Sequence, residues 1–174
     1  MTAPRNKRVN ARRITLMALL TAIALTIFMI EAQLPALAPI PGIKLGLANV
    51  VTLYAVFTLG PGDALLILAA RVFLGAVFAG QMMTLLYSGT GGLLAWCIMV
   101  LLSKLVTKKH LWLCSPIAAI FHNLGQLLAA AAVMNTWVVM SYFPFLLISG
   151  VVTGLFTGLC AQFLIKRLEN IHMK

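Results

Sequence analysis

The sequence predicts an all-α integral membrane protein, a single bundle of six transmembrane helices, and three observations carry that expectation. Of the 174 residues, 62% are hydrophobic and 9% charged, and the mean hydropathy of +1.04 is far above what a water-soluble domain sustains. Uncharged apolar runs recur along the chain, most of them near the length of about 20 residues that a membrane-spanning helix requires. The positive charges collect in the segments that would lie on one side of such a bundle. Six spans at about 20 residues each leave room for short connections and for no second, soluble domain.

Residues 1–13 form a basic arm with Arg5, Lys7, Arg8, Arg12 and Arg13 and no acid. The run 14–30 beyond it is uncharged. Ala36-Leu37-Ala38 resembles a signal-peptidase site, but the run exceeds the roughly 7 to 15 residues of a signal core and Pro39 would follow the cut. It therefore reads as a retained first helix. Pro35, Pro39, Pro41 and Gly42 make 35–43 a stiff extended connection. The second run, 45–60, ends in the tight turn Gly60-Pro61-Gly62-Asp63, where Asp63 is placed to cap the third, 64–80. These two are short and are expected to tilt little or to be partly broken. The fourth run covers 82–103, the fifth 111–134 and the sixth 143–165, so the transmembrane domain spans 14–165 and a basic tail covers 166–174.

With a cytoplasmic N-terminus, six crossings return the tail to the same side. The arm then contributes five positive charges, the loop 104–110 three (Lys104, Lys108, Lys109) and the tail three (Lys166, Arg167, Lys174), while Lys44 alone lies outside and Arg71 within a span. The positive-inside rule thus predicts a multi-pass membrane protein with both termini cytoplasmic. The net charge of +10 is explained by that topology and does not indicate nucleic acid. Cys97, Cys114 and Cys160 sit in apolar runs without metal-ligand spacing and read as buried free thiols.

Charged and amide side chains inside the spans need another explanation, because a charge at mid-bilayer costs roughly 2.5 to 3.5 kcal/mol on insertion scales. Arg71 lies near the middle of the third run. It either braces the bundle against Glu31, at the outer end of the first helix, or binds an anionic ligand. In the fifth run His122 and Gln126 are four residues apart and share a helical face, with Asn123 beside them. Lys44 and Asn49 flank the start of the second run; Gln81, Tyr87 and Ser88 fall near the start of the fourth. Singly these are interfacial anchors. Together with Arg71 they outline a polar pocket opening outward, biased toward an anionic or phosphorylated solute.

Gly150, Gly154 and Gly158 recur every fourth residue and predict a close helix contact inside the bundle; Ala18 and Ala22 could serve either an internal contact or a partner. Gly89, Gly91 and Gly92 lack the Lys and Ser or Thr of a phosphate-binding loop and read as helix packing or a local break. Metal-dependent prenyl transfer needs clustered aspartates, and Asp63 is the single Asp. No nucleotide-binding motif and no nucleophile–His–acid set is present, and no cofactor is implied. An enzyme is not expected.

The segments Pro41-Gly42-Ile43-Lys44-Leu45-Gly46-Leu47-Ala48-Asn49, Gly60-Pro61-Gly62-Asp63-Ala64-Leu65, Arg71-Val72-Phe73-Leu74-Gly75, Ser88-Gly89-Thr90-Gly91-Gly92, His122-Asn123-Leu124-Gly125-Gln126 and Ser149-Gly150-Val151-Val152-Thr153-Gly154 resemble the membrane family called Gx transporter, also labelled heptaprenyl diphosphate synthase component I. The resemblance covers nearly the whole chain. That family is similar in turn to the substrate-binding S-components of energy-coupling factor (ECF) transporters, six-helix bundles that bind a micronutrient from outside. The resemblance implies a coupling transmembrane subunit and two ATPases as partners, a lid in the segment 35–43, and Ala18-Leu19-Leu20-Thr21-Ala22 as the small-residue patch meeting the coupling subunit. Lys44, Asn49, Arg71, Gln81, Tyr87, His122, Asn123 and Gln126 are the candidate solute contacts. The family's other label implies a different role, a noncatalytic membrane subunit of a heptaprenyl diphosphate synthase.

Overall fold

The computed structural model describes residues 11–33, 44–107 and 110–172, with side chains as far as Arg167. The extended connection 35–43, most of the basic arm, Lys108 and Lys109 lie outside the described residues. Six α-helices follow in order: α1 Ala11–Glu31, α2 Asn49–Thr58, α3 Pro61–Ala79, α4 Met82–Ser103, α5 Leu111–Met134 and α6 Phe143–His172, with a 3-10 segment Trp137–Tyr142 before α6. Five of them are long and apolar enough to cross a membrane. The chain is a multi-pass membrane bundle. Local chemistry sets the helix ends. Pro61 opens α3 after Gly60 (φ 103°), and α3 and α5 stop on Gly80 and Asn135 in the left-handed region (φ 65° and 49°).

The second run is where sequence and structure differ. Ten helical residues rise about 15 Å, half the thickness of the hydrocarbon core. Residues 44–48 precede α2 without helical structure, with Leu47 and Ala48 in a turn. The combined segment still runs the length of α1. At one end, Glu31 at the close of α1 accepts the N–H of Gly46 at 2.6 Å and of Leu47 at 3.1 Å. At the other, Arg13 near the start of α1 pairs through Nε and Nη2 with both carboxylate oxygens of Asp63, at 2.6 and 2.7 Å. Irregular backbone at membrane depth persists only where protein groups satisfy it, and the Glu31 carboxylate does so here. Asp63 does not make the capping bond to α3 that the turn predicts; it lies in the first helical turn and is committed to Arg13.

The short α2 packs against all five long helices, which run α1, α3, α4, α5, α6 around it. Its buried residues Asn49, Val51, Thr52, Leu53, Ala55 and Val56 cover most of its circumference. Two apolar clusters fill the bundle at different depths. One joins Leu20, Ala64, Met99, Leu111 and Ile165, bringing the start of α3, the ends of α4 and α6 and the start of α5 to the level of α1's first half. The other joins Tyr87, Leu127, Ala130, Val139 and Leu146 at the opposite end. The described chain therefore begins and ends on one side.

Glycines bring the helices together as expected. A Cβ at Gly154 would stand 2.5 Å from Pro116 Cα, and one at Gly158 2.9 Å from Trp112 Cα, so the α6 stripe is an internal contact with α5. On α4 the helix is continuous through Gly89, Gly91 and Gly92. Gly91 meets Gly125 of α5, where an added Cβ would approach Gly91 Cα to 2.8 Å. The large apolar side chains left outside, such as Phe73, Phe78, Phe145, Phe156 and Phe163, face where lipid would lie.

Candidate functional site

Between the two apolar clusters lies a polar layer. Each member follows from a helical register. Positions 111, 115, 118, 122, 126 and 130 of α5 are buried, so the stripe that packs this helix between α4 and α6 also carries His122 and Gln126 inward. Arg71 lies on the buried stripe Ala64, Ile67, Leu68, Arg71, Gly75 of α3. It is 2% exposed, and it belongs to the largest wholly enclosed side chains of the molecule. Asn49, the first residue of α2, is 6% exposed.

The amides and imidazole form a directed chain. Gln126 Oε1 accepts the backbone N–H of Lys44 at 3.1 Å, which fixes Nε2 as the amide donor. That Nε2 lies 2.7 Å from His122 Nε2, so the imidazole nitrogen accepts. The ring then carries its proton on Nδ1 and is neutral. Nδ1 has no hydrogen-bond partner and sits against Gly91 of α4. Asn123 donates through Nδ2 to the Leu146 carbonyl of α6 at 2.6 Å, and its Oδ1 has no partner. Gly46 threads between these groups. With φ 79°, it occupies a conformation glycine adopts freely, and a Cβ there would fall 2.8 Å from both Asn49 Nδ2 and His122 Cδ2.

Arg71 is the exception to this pairing. Its Nη2 makes one long bond, 3.4 Å to Asn49 Oδ1, and its Nε has no partner; neither has Asn49 Nδ2. Among the described residues the ion pair that forms is Arg13–Asp63, and no carboxylate approaches Arg71 within 4 Å. Of the two roles open to Arg71, the direct brace with Glu31 does not form: both Glu31 oxygens accept from the amides leading into α2. Glu31 and Arg71 are near neighbours in the same layer without touching. Lys44 lies half-buried with its Nζ 3.4 Å from the centroid of the Phe28 ring, a cation–π contact.

Of the residues singled out in the sequence, Lys44, Asn49, Arg71, His122, Asn123 and Gln126 come together in this layer. Tyr87 is buried in the neighbouring apolar cluster. Gln81 does not join them; it is exposed at the α3–α4 turn, where its Oε1 accepts from Thr84 Oγ1 at 3.2 Å. Three participants are not legible as such in the sequence: Glu31 as the acceptor for the start of the second segment, Gly46 as the close approach, and Phe28 as the seat of Lys44. Ala18 and Ala22 lie on the exposed face of α1, opposite its buried residues Leu20, Ala24 and Phe28.

A family model described as heptaprenyl diphosphate synthase component I matches residues 20–164. Among solved structures, the S component of a bacterial ECF transporter superposes with a TM-score of 0.62 at 21% sequence identity, over 94% of this chain and 98% of that one. The fold is that of an S component. No curated protein sequence matches.

Proposed function

The chain belongs to the heptaprenyl diphosphate synthase component I family, and we propose that it is the solute-binding membrane subunit of an ATP-driven micronutrient uptake transporter, a counterpart of the ECF S component whose fold it has. One observation carries the reading. An enclosed Arg71 with an unbonded Nε and no described carboxylate within 4 Å holds a charge that hydrocarbon surroundings make costly, and an anionic or polar solute in the layer would compensate it. Asn49 supplies a second free donor at its side. On this reading Lys44, Asn49, Arg71, His122, Asn123 and Gln126 form or support the solute site. A coupling transmembrane subunit and two ATPases are the partners, α1 meets the coupling subunit through Ala18 and Ala22, and the termini are cytoplasmic in a bacterial inner membrane. On this reading the chain itself is noncatalytic, and its single Asp, paired with Arg13, serves the bundle.

The family description favours a second reading, a noncatalytic membrane subunit of a heptaprenyl diphosphate synthase. Purification of the tagged protein from native membranes in mild detergent, with mass spectrometry of what accompanies it, separates the two. Recovery of a coupling subunit with two ATPases, lost when Ala18 and Ala22 are replaced by Leu, is the expected result. Recovery of an aspartate-rich prenyl synthase without ATPases would establish the second reading instead.

A further inference from the structure

If the chain is a solute-binding subunit, its polar layer specifies more about the solute than a sign of charge. Resting on that reading, we infer that the site takes a monoanion with a planar oxyanion, a carboxylate or an equivalent delocalised anion, and that Glu31 excludes phosphate esters from it.

The charges held in the layer do not cancel. Arg71 and Lys44 are cations and Glu31 is an anion. His122 is neutral, because its Nε2 accepts from Gln126 and a doubly protonated ring has no acceptor. Among the described residues one positive charge is left over, and a solute with a single negative charge neutralises it. A phosphate monoester brings about −1.5 to −2 near neutral pH. It would leave the layer negative beside the buried Glu31 carboxylate, in surroundings that screen repulsion poorly.

Position gives the same answer independently. The seat that commonly takes a phosphate is the N-terminal end of a helix, where free N–H groups and the helix dipole converge. In this bundle the amides leading into α2 are already filled: Gly46 N–H and Leu47 N–H bond the two oxygens of Glu31. The Nε edge of Arg71 and the Nδ2 of Asn49 remain free, both on side chains more than nine-tenths buried. The two residues are adjacent, joined by the Nη2–Oδ1 bond. A guanidinium edge with an amide beside it binds carboxylate and phosphate oxyanions alike, so the charge balance and the filled α2 amides are what favour the singly charged carboxylate. Glu31 thus acts as a specificity residue: it occupies the phosphate-like seat with the protein's own carboxylate and sets the charge that the solute must carry.

The test uses the full chain in detergent and a small-molecule extract of the cells that produce it, split by anion exchange into neutral, monoanionic and polyanionic pools, with and without phosphatase treatment. Unfolding temperature and native mass spectrometry read binding. The monoanionic pool is expected to raise the unfolding temperature, phosphatase to leave that rise intact, and Arg71→Gln to remove it. Glu31→Gln keeps one oxygen for the α2 amides and is expected to let the polyanionic pool bind as well. A rise in wild type confined to the polyanionic pool and abolished by phosphatase overturns this inference and leaves the solute-binding reading standing. A rise confined to the neutral pool also overturns it. No rise from any pool overturns both. If Glu31→Gln folds and stays closed to the polyanionic pool, Glu31 is not the discriminating group. Should that variant fail to fold, the wild-type pools still decide the charge class.

Discussion

At the scale of single residues, membrane burial makes some of the site legible and hides the rest. Arg71, Asn49, His122, Asn123 and Gln126 stand out in the sequence because each is a polar side chain in a run where lipid favours none, and all five meet in one layer. Glu31 stands out equally, but the sequence points it to the wrong partner. A carboxylate in an apolar chain invites pairing with the nearest buried cation, whereas the structure gives both its oxygens to backbone amides that exist only because the helix starts late, at Asn49. A side-chain pattern does not show an unsatisfied backbone. Gly46 is the sharpest consequence. Its positive φ and its approach to His122 and Asn49 leave no room for a methyl group, so Gly46→Ala is expected to cost about 1 to 3 kcal/mol from backbone strain alone. Thermal unfolding in detergent should show a clear drop in midpoint. An unchanged midpoint would mean that the 44–48 backbone does not hold this conformation.

At the scale of helices, residue spacing predicts contacts well and the length of an apolar run predicts helix length poorly. The four-residue glycine repeat of α6 predicts its internal contact with α5, because small residues one turn apart have one physical use in a packed bundle. The apolar run 45–60 has the hydropathy of a span, yet its first residues are irregular, with the amides of Gly46 and Leu47 held by Glu31. Hydropathy is blind to that difference, since buried irregular backbone and buried helix recruit the same side chains. The two kinds of glycine should separate in a paired experiment. Gly154→Val drives side-chain atoms into the Pro116 backbone and is expected to destabilise by at least the roughly 1 to 3 kcal/mol of an overpacked core. Gly89→Ala meets nothing closer than Val72 Cγ1 at 3.9 Å and should leave the unfolding midpoint within error. Equal losses at both positions would mean that α6 and α5 are not in the close contact described.

At the scale of the molecule, the parity of crossings decides which face the polar layer looks toward, and two side-chain contacts fix it without reference to hydropathy. The Arg13–Asp63 pair holds the start of α1 and the start of α3 at one level, so the broken segment between Lys44 and Gly60 must traverse the bundle even though α2 is too short to do so as a helix. The Glu31 bonds to Gly46 and Leu47 hold the other end of that segment beside the close of α1. The polar layer then falls toward the end where α1 finishes and where α2 and α4 begin. That is the side opposite both described chain ends, and the side from which an uptake subunit would receive its solute. Labelling by a membrane-impermeant maleimide tests the parity, using single cysteines in a background where Cys97, Cys114 and Cys160 are replaced. Gly62→Cys and Thr107→Cys should react only when the cytoplasmic face is opened, and Ser141→Cys, in the exposed segment ahead of α6, should react in intact cells. Reaction at Gly62→Cys in intact cells would put α1 and α3 on opposite sides at their starts, leaving five crossings. That result would break the Arg13–Asp63 contact as a feature of the membrane-embedded chain and reverse the direction in which the site opens.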